Sequence, residues 1–127
     1  MQKILVVDDE PAVRGFVRYS LSGANFEVIE ATSGTEALGM ITSSRPDLVL
    51  LDIRMPGMDG LDVLRRLRKS PATKFLPVMF LTGTILDVDE LVQVLELDPS
   101  DFVTKEVSSR ELVARVRWVL RRRDVTG

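Results

Sequence analysis

This sequence predicts a doubly wound α/β domain, a parallel sheet covered by helices on both faces. Three observations lead there. Short apolar or β-branched runs recur along the chain, segments with helical spacing lie between them, and those helical segments are each apolar on one side. Strands alternating with one-sided helices bury their apolar faces most simply in a parallel sheet with right-handed crossovers.

The elements follow in order. Residues 3–7 (KILVV), 26–29 (FEVI), 47–51 (DLVLL), 77–81 (PVMFL) and 101–103 (DFV) read as about five strands. Between the first two, Val13, Phe16, Val17 and Leu21 repeat at helical spacing, and Pro11 suits a first helical turn. Ala37, Leu38 and Ile41 mark a second helix, for which Ser33 and Glu36 form a candidate capping box; Leu61, Leu64 and Leu67 mark a third. On the fourth helix Val88, Leu91, Val92 and Leu95 are expected to face the core, which leaves Val94 and Leu97 off that face. Ser108 and Glu111 cap a last helix whose stripe is Leu112, Val113, Val116, Val119 and Leu120. Residues 1–121 are expected to form one domain, and residues 122–127, rich in arginine, a tail or the start of a linker.

Composition narrows the function. A chain of 127 residues suits one domain, and no apolar run approaches the roughly 20 residues of a membrane helix. The N-terminus lacks a secretion signal, so a cytoplasmic location is expected. Without cysteine or histidine there is no thiolate chemistry, disulfide framework or imidazole base. A net charge of −2 argues against direct nucleic-acid binding, which normally needs a basic excess.

In open α/β sheets ligands bind outside the carboxyl ends of the strands, so the residues at those ends carry the chemistry. The first strand ends in Asp8 and Asp9, the third in Asp52, the fourth in Thr82, and Lys105 follows the fifth. Taken singly, Asp9 reads as a helix cap, Thr82 as a turn residue and Lys105 as a surface charge. Asp52 is harder to dismiss, because a carboxylate directly after Leu48–Leu51 sits where unpaired charge is costly. Together, three carboxylates repel one another unless a cation lies among them. Mg²⁺ suits such a site, with one or two carboxylates, waters and phosphate oxygens. Lys105 and Thr82 would then supply a charge and a hydroxyl to an anion attached at Asp52.

The pair Asp8–Asp9 after KILVV, the stretch LLDIRMPGMDG, Thr82–Gly83 after PVMFL and the run from Phe102 to Lys105 resemble the receiver domain of two-component response regulators over essentially the whole chain. The resemblance implies a flavodoxin-like sheet of order 2-1-3-4-5 and a phosphoryl group taken from the phosphohistidine of a histidine kinase or phosphotransfer protein. By position it makes Asp52 the acceptor, Asp9 a direct Mg²⁺ ligand, Asp8 a ligand through water, and the Arg54 backbone carbonyl a further ligand. Thr82 and Lys105 would bind phosphoryl oxygens, and Gly83 would leave room for the donor. Pro56 and Gly57 fit a tight turn, and Asp59 a helix cap. Arg54 and Thr84 are placed to influence water access.

The same resemblance makes Thr82 and Phe102 a switch: the threonine is drawn inward and the aromatic ring turns into the vacated space. Lacking a hydroxyl, Phe102 is expected to sit inward more readily than a tyrosine. Trp118 falls opposite the core stripe of the last helix among Arg110, Arg117 and Arg121, and with Val94 and Leu97 it marks a candidate interface. Receiver domains often pair through the face between the fourth and fifth helices, which makes a homodimer the candidate assembly.

Two positions depart from the family pattern. Glu106 stands where proline usually follows the lysine, so a trans peptide with a shifted loop is expected. Asp98–Pro99 replaces the usual Gly-Ala before the fifth strand. A haloacid-dehalogenase type phosphohydrolase is disfavoured, since it needs an aspartate where Arg54 stands. A degenerate receiver acting as a phosphorylation-independent interaction module is the alternative.

Overall fold

The computed structural model describes residues 1–83 and 86–126, with side chains through Arg122; Thr84 therefore lies outside the described residues. Five strands, β1 (Lys3–Val7), β2 (Glu27–Ala31), β3 (Leu48–Leu51), β4 (Val78–Thr82) and β5 (Asp101–Thr104), alternate with α1 (Pro11–Ser22), α2 (Gly34–Ser44), α3 (Gly60–Lys69), α4 (Val88–Leu97) and α5 (Ser109–Thr126). The strands are parallel, as the alternating pattern predicts, in the order β2-β1-β3-β4-β5 that the resemblance implies.

Alternation along the strands divides the core. Ile4, Val6, Leu48 and Leu50 face the layer of α1 and α5, while Leu5, Val7, Val49 and Leu51 face α2, α3 and α4. Each central strand is apolar on both sides because both sides are covered. Helix ends follow the expected signals: the Ser33 side chain accepts from the Glu36 amide, Asp59 and Asp62 form a full capping box, and Ser108 accepts from the Glu111 amide. Gly57 adopts a φ of 76°, as the turn after Pro56 requires.

At Asp98–Pro99 the chain leaves α4 through a left-handed residue, Asp98 at φ 51°. Pro99 cannot extend the helix, and Ser100 donates to the Val78 carbonyl at 2.8 Å, which starts β5. The Lys105–Glu106 peptide is trans, as expected. Residues 122–126 continue α5, so this segment is helical.

One expectation is reversed. Val94 is buried and Leu97 packs against the same cluster, so Val94 does not belong to an exposed interface; Val88, Leu91, Val92 and Leu95, expected in the core, are 45–76% exposed. Two stripes on this helix share helical spacing, and spacing alone does not choose between them. Contacts on the packed side distinguish them. Glu90 pairs with Arg54 at 2.5 Å and Gln93 accepts a hydrogen bond from Arg65 of α3, and these two positions share a face with Val94 and Leu97.

Candidate functional site

Strand register builds the site. Val7 of β1 lies opposite Leu51 of β3, and the ladder runs one step further, with the Asp52 amide donating to the Val7 carbonyl at 3.0 Å. Asp8 and Asp52 therefore leave adjacent strands side by side, and both are buried. On the other side Thr82 ends β4, also buried, and the Lys105 amide donates to the Thr82 carbonyl at 3.0 Å. The point where strand order reverses, between β1 and β3, is where the acids converge.

Lys105 reaches back across this edge. Its ammonium lies 3.0 Å from Asp8 Oδ2, 3.3 Å from Asp52 Oδ2 and 3.0 Å from Glu10 Oε1. One cation thus serves three carboxylates, two of them buried. Burial acts to lower the lysine's proton affinity, but hydrogen bonds to Glu10 and Asp8 and the charges of Asp52 and Asp8 outweigh it and raise it above the usual ammonium range. Asp52 moves the other way for a carboxyl's charge: burial first, then the negative charge of Asp8, lift its pKa to about 6 against the opposing pull of Lys105 and the Ile53 amide.

Asp52 Oδ1 is the one buried side-chain oxygen or nitrogen among the described residues that lacks a hydrogen-bond partner. A buried anionic oxygen without a donor is costly, so this atom fits a cation or an electrophile. The carboxyl oxygens of Asp8, Asp9 and Glu10 come within 4.8 Å of one another, an all-oxygen set suited to a hard divalent ion. Asp52 stands outside that trio and is joined to Asp8 through Lys105. Arg54 directs its side chain away, to Glu90.

Glu10, not singled out in the sequence, belongs to the site: it holds Lys105 and closes the acidic trio. The third acid in the run Asp8–Asp9–Glu10 was the available signal. Gly83 makes room chiefly for Lys105, since a Cβ there would lie 3.3 Å from the lysine Cδ. Phe102 is 37% exposed and meets Phe80 edge-on, ring centroids 6.3 Å apart, so it is neither fully inward nor wholly facing solvent. Trp118 is exposed as expected, and the arginine over its ring is Arg122, 4.0 Å from the centroid. A hollow of about 1000 Å³ lies at the opposite end of the strands, lined by Ile41, Phe75, Pro77 and Val119, away from the acids.

Fold and site together define a doubly wound domain with an acid-and-lysine centre at its switch point. The family model for the response regulator receiver domain matches residues 4–117, and the chain belongs to that family as a receiver domain of two-component signalling. It is 40% identical over 119 residues to the phosphate regulon transcriptional regulatory protein PhoB of Pseudomonas aeruginosa, covering 94% of this chain and 52% of that one. To the alkaline phosphatase synthesis transcriptional regulatory protein PhoP of Bacillus subtilis it is 38% identical over 126 residues, covering 99% and 51%. The chain spans about half the length of these curated relatives. Among solved structures, a CheY-like response regulator receiver domain from Methanospirillum hungatei superposes with a TM-score of 0.92 at 25% identity, covering 100% of this chain and 99% of that one. The chemotaxis protein CheY4 of Vibrio cholerae superposes with a TM-score of 0.85 at 28% identity, covering 94% and 98%.

Receiver domains are signalling domains that interact with histidine kinases or phosphotransfer proteins and generally bind Mg²⁺ at an acidic cluster. No described helix here is long and apolar enough to cross a membrane.

Proposed function

We propose that this domain accepts a phosphoryl group on Asp52 from the phosphohistidine of a histidine kinase or phosphotransfer protein and later releases it by its own hydrolysis. The observation that carries the reading is the pair of Asp52 oxygens: Oδ2 is held by Lys105, and Oδ1 is buried without a partner. A lone pair of Oδ1 attacks phosphorus while the P–N bond breaks, and its electrons leave with the imidazole nitrogen of the donor. With its pKa at about 6, Asp52 is mostly ionised at neutral pH and so is a nucleophile.

Lys105 neutralises phosphoryl oxygen charge, and the Thr82 hydroxyl donates to a second oxygen. Asp8, Asp9, Asp52 and the Arg54 carbonyl would hold Mg²⁺, with the Glu10 carboxylate close to those of Asp8 and Asp9. When bound, the ion supplies positive charge to the phosphoryl oxygens and relieves repulsion among the carboxylates. Thr82 moving toward the phosphoryl group would leave space beside Phe102, which turns inward from its place against Phe80.

The output surface in this reading is the face of α4, β5 and α5. Val88, Leu91 and Leu95 are exposed on it, together with Trp118, and it suits pairing with a second copy of the chain. Leu97 contributes from the packed side of α4 and not as a contact. Direct nucleic-acid contact forms no part of the reading, because the net charge is −2; a cytoplasmic location accords with a kinase as donor.

The test is incubation with a small phosphodonor and Mg²⁺, followed by intact-mass analysis. A single base-labile phosphoryl adduct that disappears in Asp52→Asn is expected. No adduct in the wild type would instead make the domain a phosphorylation-independent interaction module. Association after phosphorylation should weaken in Trp118→Ala and Leu91→Ala; unchanged association in both removes the dimer face.

A further inference from the structure

We propose that Arg14 is a positioning residue for the metal-binding carboxylates, aiming the Asp8–Asp9 peptide from a tether on β2. The inference rests on the assignment of Asp8 and Asp9 as metal ligands.

Arg14 lies in the first turns of α1, where the exposed amides of the helix make a positive charge unfavourable. Its side chain is nonetheless largely enclosed, 14% exposed, and its guanidinium makes two directed bonds. Nε donates to Glu30 Oε1 at 3.0 Å, and Nη1 donates to the backbone carbonyl of Asp8 at 2.8 Å. Glu30 is itself steadied by Arg18, whose Nε reaches its other oxygen at 2.6 Å. The Arg18 hydrogen bond, working against burial and reinforced by Arg14, holds the Glu30 carboxyl below its ordinary range, so it stays an anion that anchors both guanidiniums.

Of the two arginines, Arg14 is the one whose fork continues to Asp8. Asp8 is thereby fixed at every polar group: its amide donates to the Ala31 carbonyl at 3.2 Å, Oδ1 accepts from the Glu10 amide at 2.9 Å, Oδ2 faces Lys105, and the carbonyl takes Arg14. Among the described residues no hydrogen bond or ion pair holds the exposed Asp9 carboxylate, so the backbone at Asp9, including the Asp8–Asp9 peptide plane, sets where its Cα–Cβ bond starts the side chain. A bond to the carbonyl of that peptide fixes the plane. Partners that orient metal ligands from behind commonly change affinity ten- to a hundredfold.

Charge and position predict opposite signs. Removing a cation near a Mg²⁺ site should tighten binding by simple Coulomb attraction, whereas losing the peptide's orientation should weaken it. The experiment is calorimetric titration of the purified protein with MgCl₂, run well below each variant's melting temperature. Arg14→Met is expected to raise the Mg²⁺ Kd about tenfold or more. Arg18→Met, which loses the same Glu30 carboxylate but no bond to Asp8, should stay within about twofold of wild type. Arg14→Lys keeps the charge but loses the fork, and should fall between them; it decides the matter if Arg14→Met does not fold. An unchanged or lower Kd in Arg14→Met, or in Arg14→Lys where that variant decides, overturns the inference while the metal site stands, provided Asp9→Asn abolishes binding. Wild-type protein that binds no Mg²⁺, or Asp9→Asn that binds as wild type does, overturns the metal assignment and this inference with it.

Discussion

At the carboxyl edge of the sheet, Asp8, Asp52 and Thr82 are 1–3% exposed, whereas on the outer face of α4 four large aliphatic side chains stand in solvent. Each region inverts the usual distribution of polar and apolar groups, and the inversions are held differently. The buried acids are fixed by backbone ladders and a shared lysine, so removing that lysine leaves buried negative charge uncompensated. Val88, Leu91, Val92 and Leu95 of α4 belong to neither core cluster among the described residues, and the helix instead turns Glu90, Gln93, Val94 and Leu97 to its packed side. A polar group inside is a statement about chemistry; an apolar group outside is a statement about what helix rotation left available.

The sharpest way to break this comparison is a pair of substitutions on α4. Val94→Asp places an unpaired carboxylate in the core and should cost about 4 kcal/mol in urea denaturation, while Leu95→Asp should change stability by about 0.5 kcal/mol or less. Equal costs would mean that the helix is not rotated as described. Next comes Gly60, whose added Cβ would overlap the Asp52 carbonyl oxygen and lie 2.9 Å from the Ile53 Cα. Gly60→Ala is expected to lose about 3 kcal/mol and to depress phosphodonor labelling, because the backbone under the acceptor must shift.

Asp52 gives an effect of opposite sign. Its folded pKa is raised from an ordinary 3.8 to about 6, so the unfolded chain holds the ionised form more readily. The resulting penalty, up to about 3 kcal/mol, is present in full above pH 6 and fades as pH falls toward 4. In metal-free protein with chelator, Asp52→Asn should therefore be more stable than wild type at pH 8 and nearly equal to it near pH 4. A stability gain that grows on acidification would contradict the assignment. The smallest effect is at the α3 cap: Asp59→Ala should cost about 1 kcal/mol by thermal melting, since it removes an N-terminal hydrogen bond at the helix that Gly60 begins.

Much of this molecule was legible beforehand. Strand positions, the parallel arrangement, the Ser33 and Ser108 caps, the Asp59 cap and the burial of Asp52 all follow from signals within a few residues of one another, although Glu36 turns to the Thr32 amide and Glu111 to Arg115 and neither completes the expected capping box. The motif pattern also indicated the strand order through its resemblance to receiver domains. The α4 rotation was not legible, because Val88, Leu91, Val92 and Leu95 make as good a helical stripe as the face that is buried. The roles of Arg14 and Glu10 are hard to read from the sequence for a related reason: their partners, Glu30 and Lys105, are distant in sequence and meet them only once the sheet has formed.

The sequence by itself determined the alternation of strands and helices and the set of polar groups at the strand ends, since periodicity, caps and a carboxylate closing an apolar run are local properties. Only the tertiary structure decided which face of α4 is covered, that one ammonium serves Asp8, Asp52 and Glu10, and that a single Asp52 oxygen is left without a donor. Those outcomes depend on which groups from remote segments arrive at the same place, and burial and electrostatic competition are settled there by distance and desolvation.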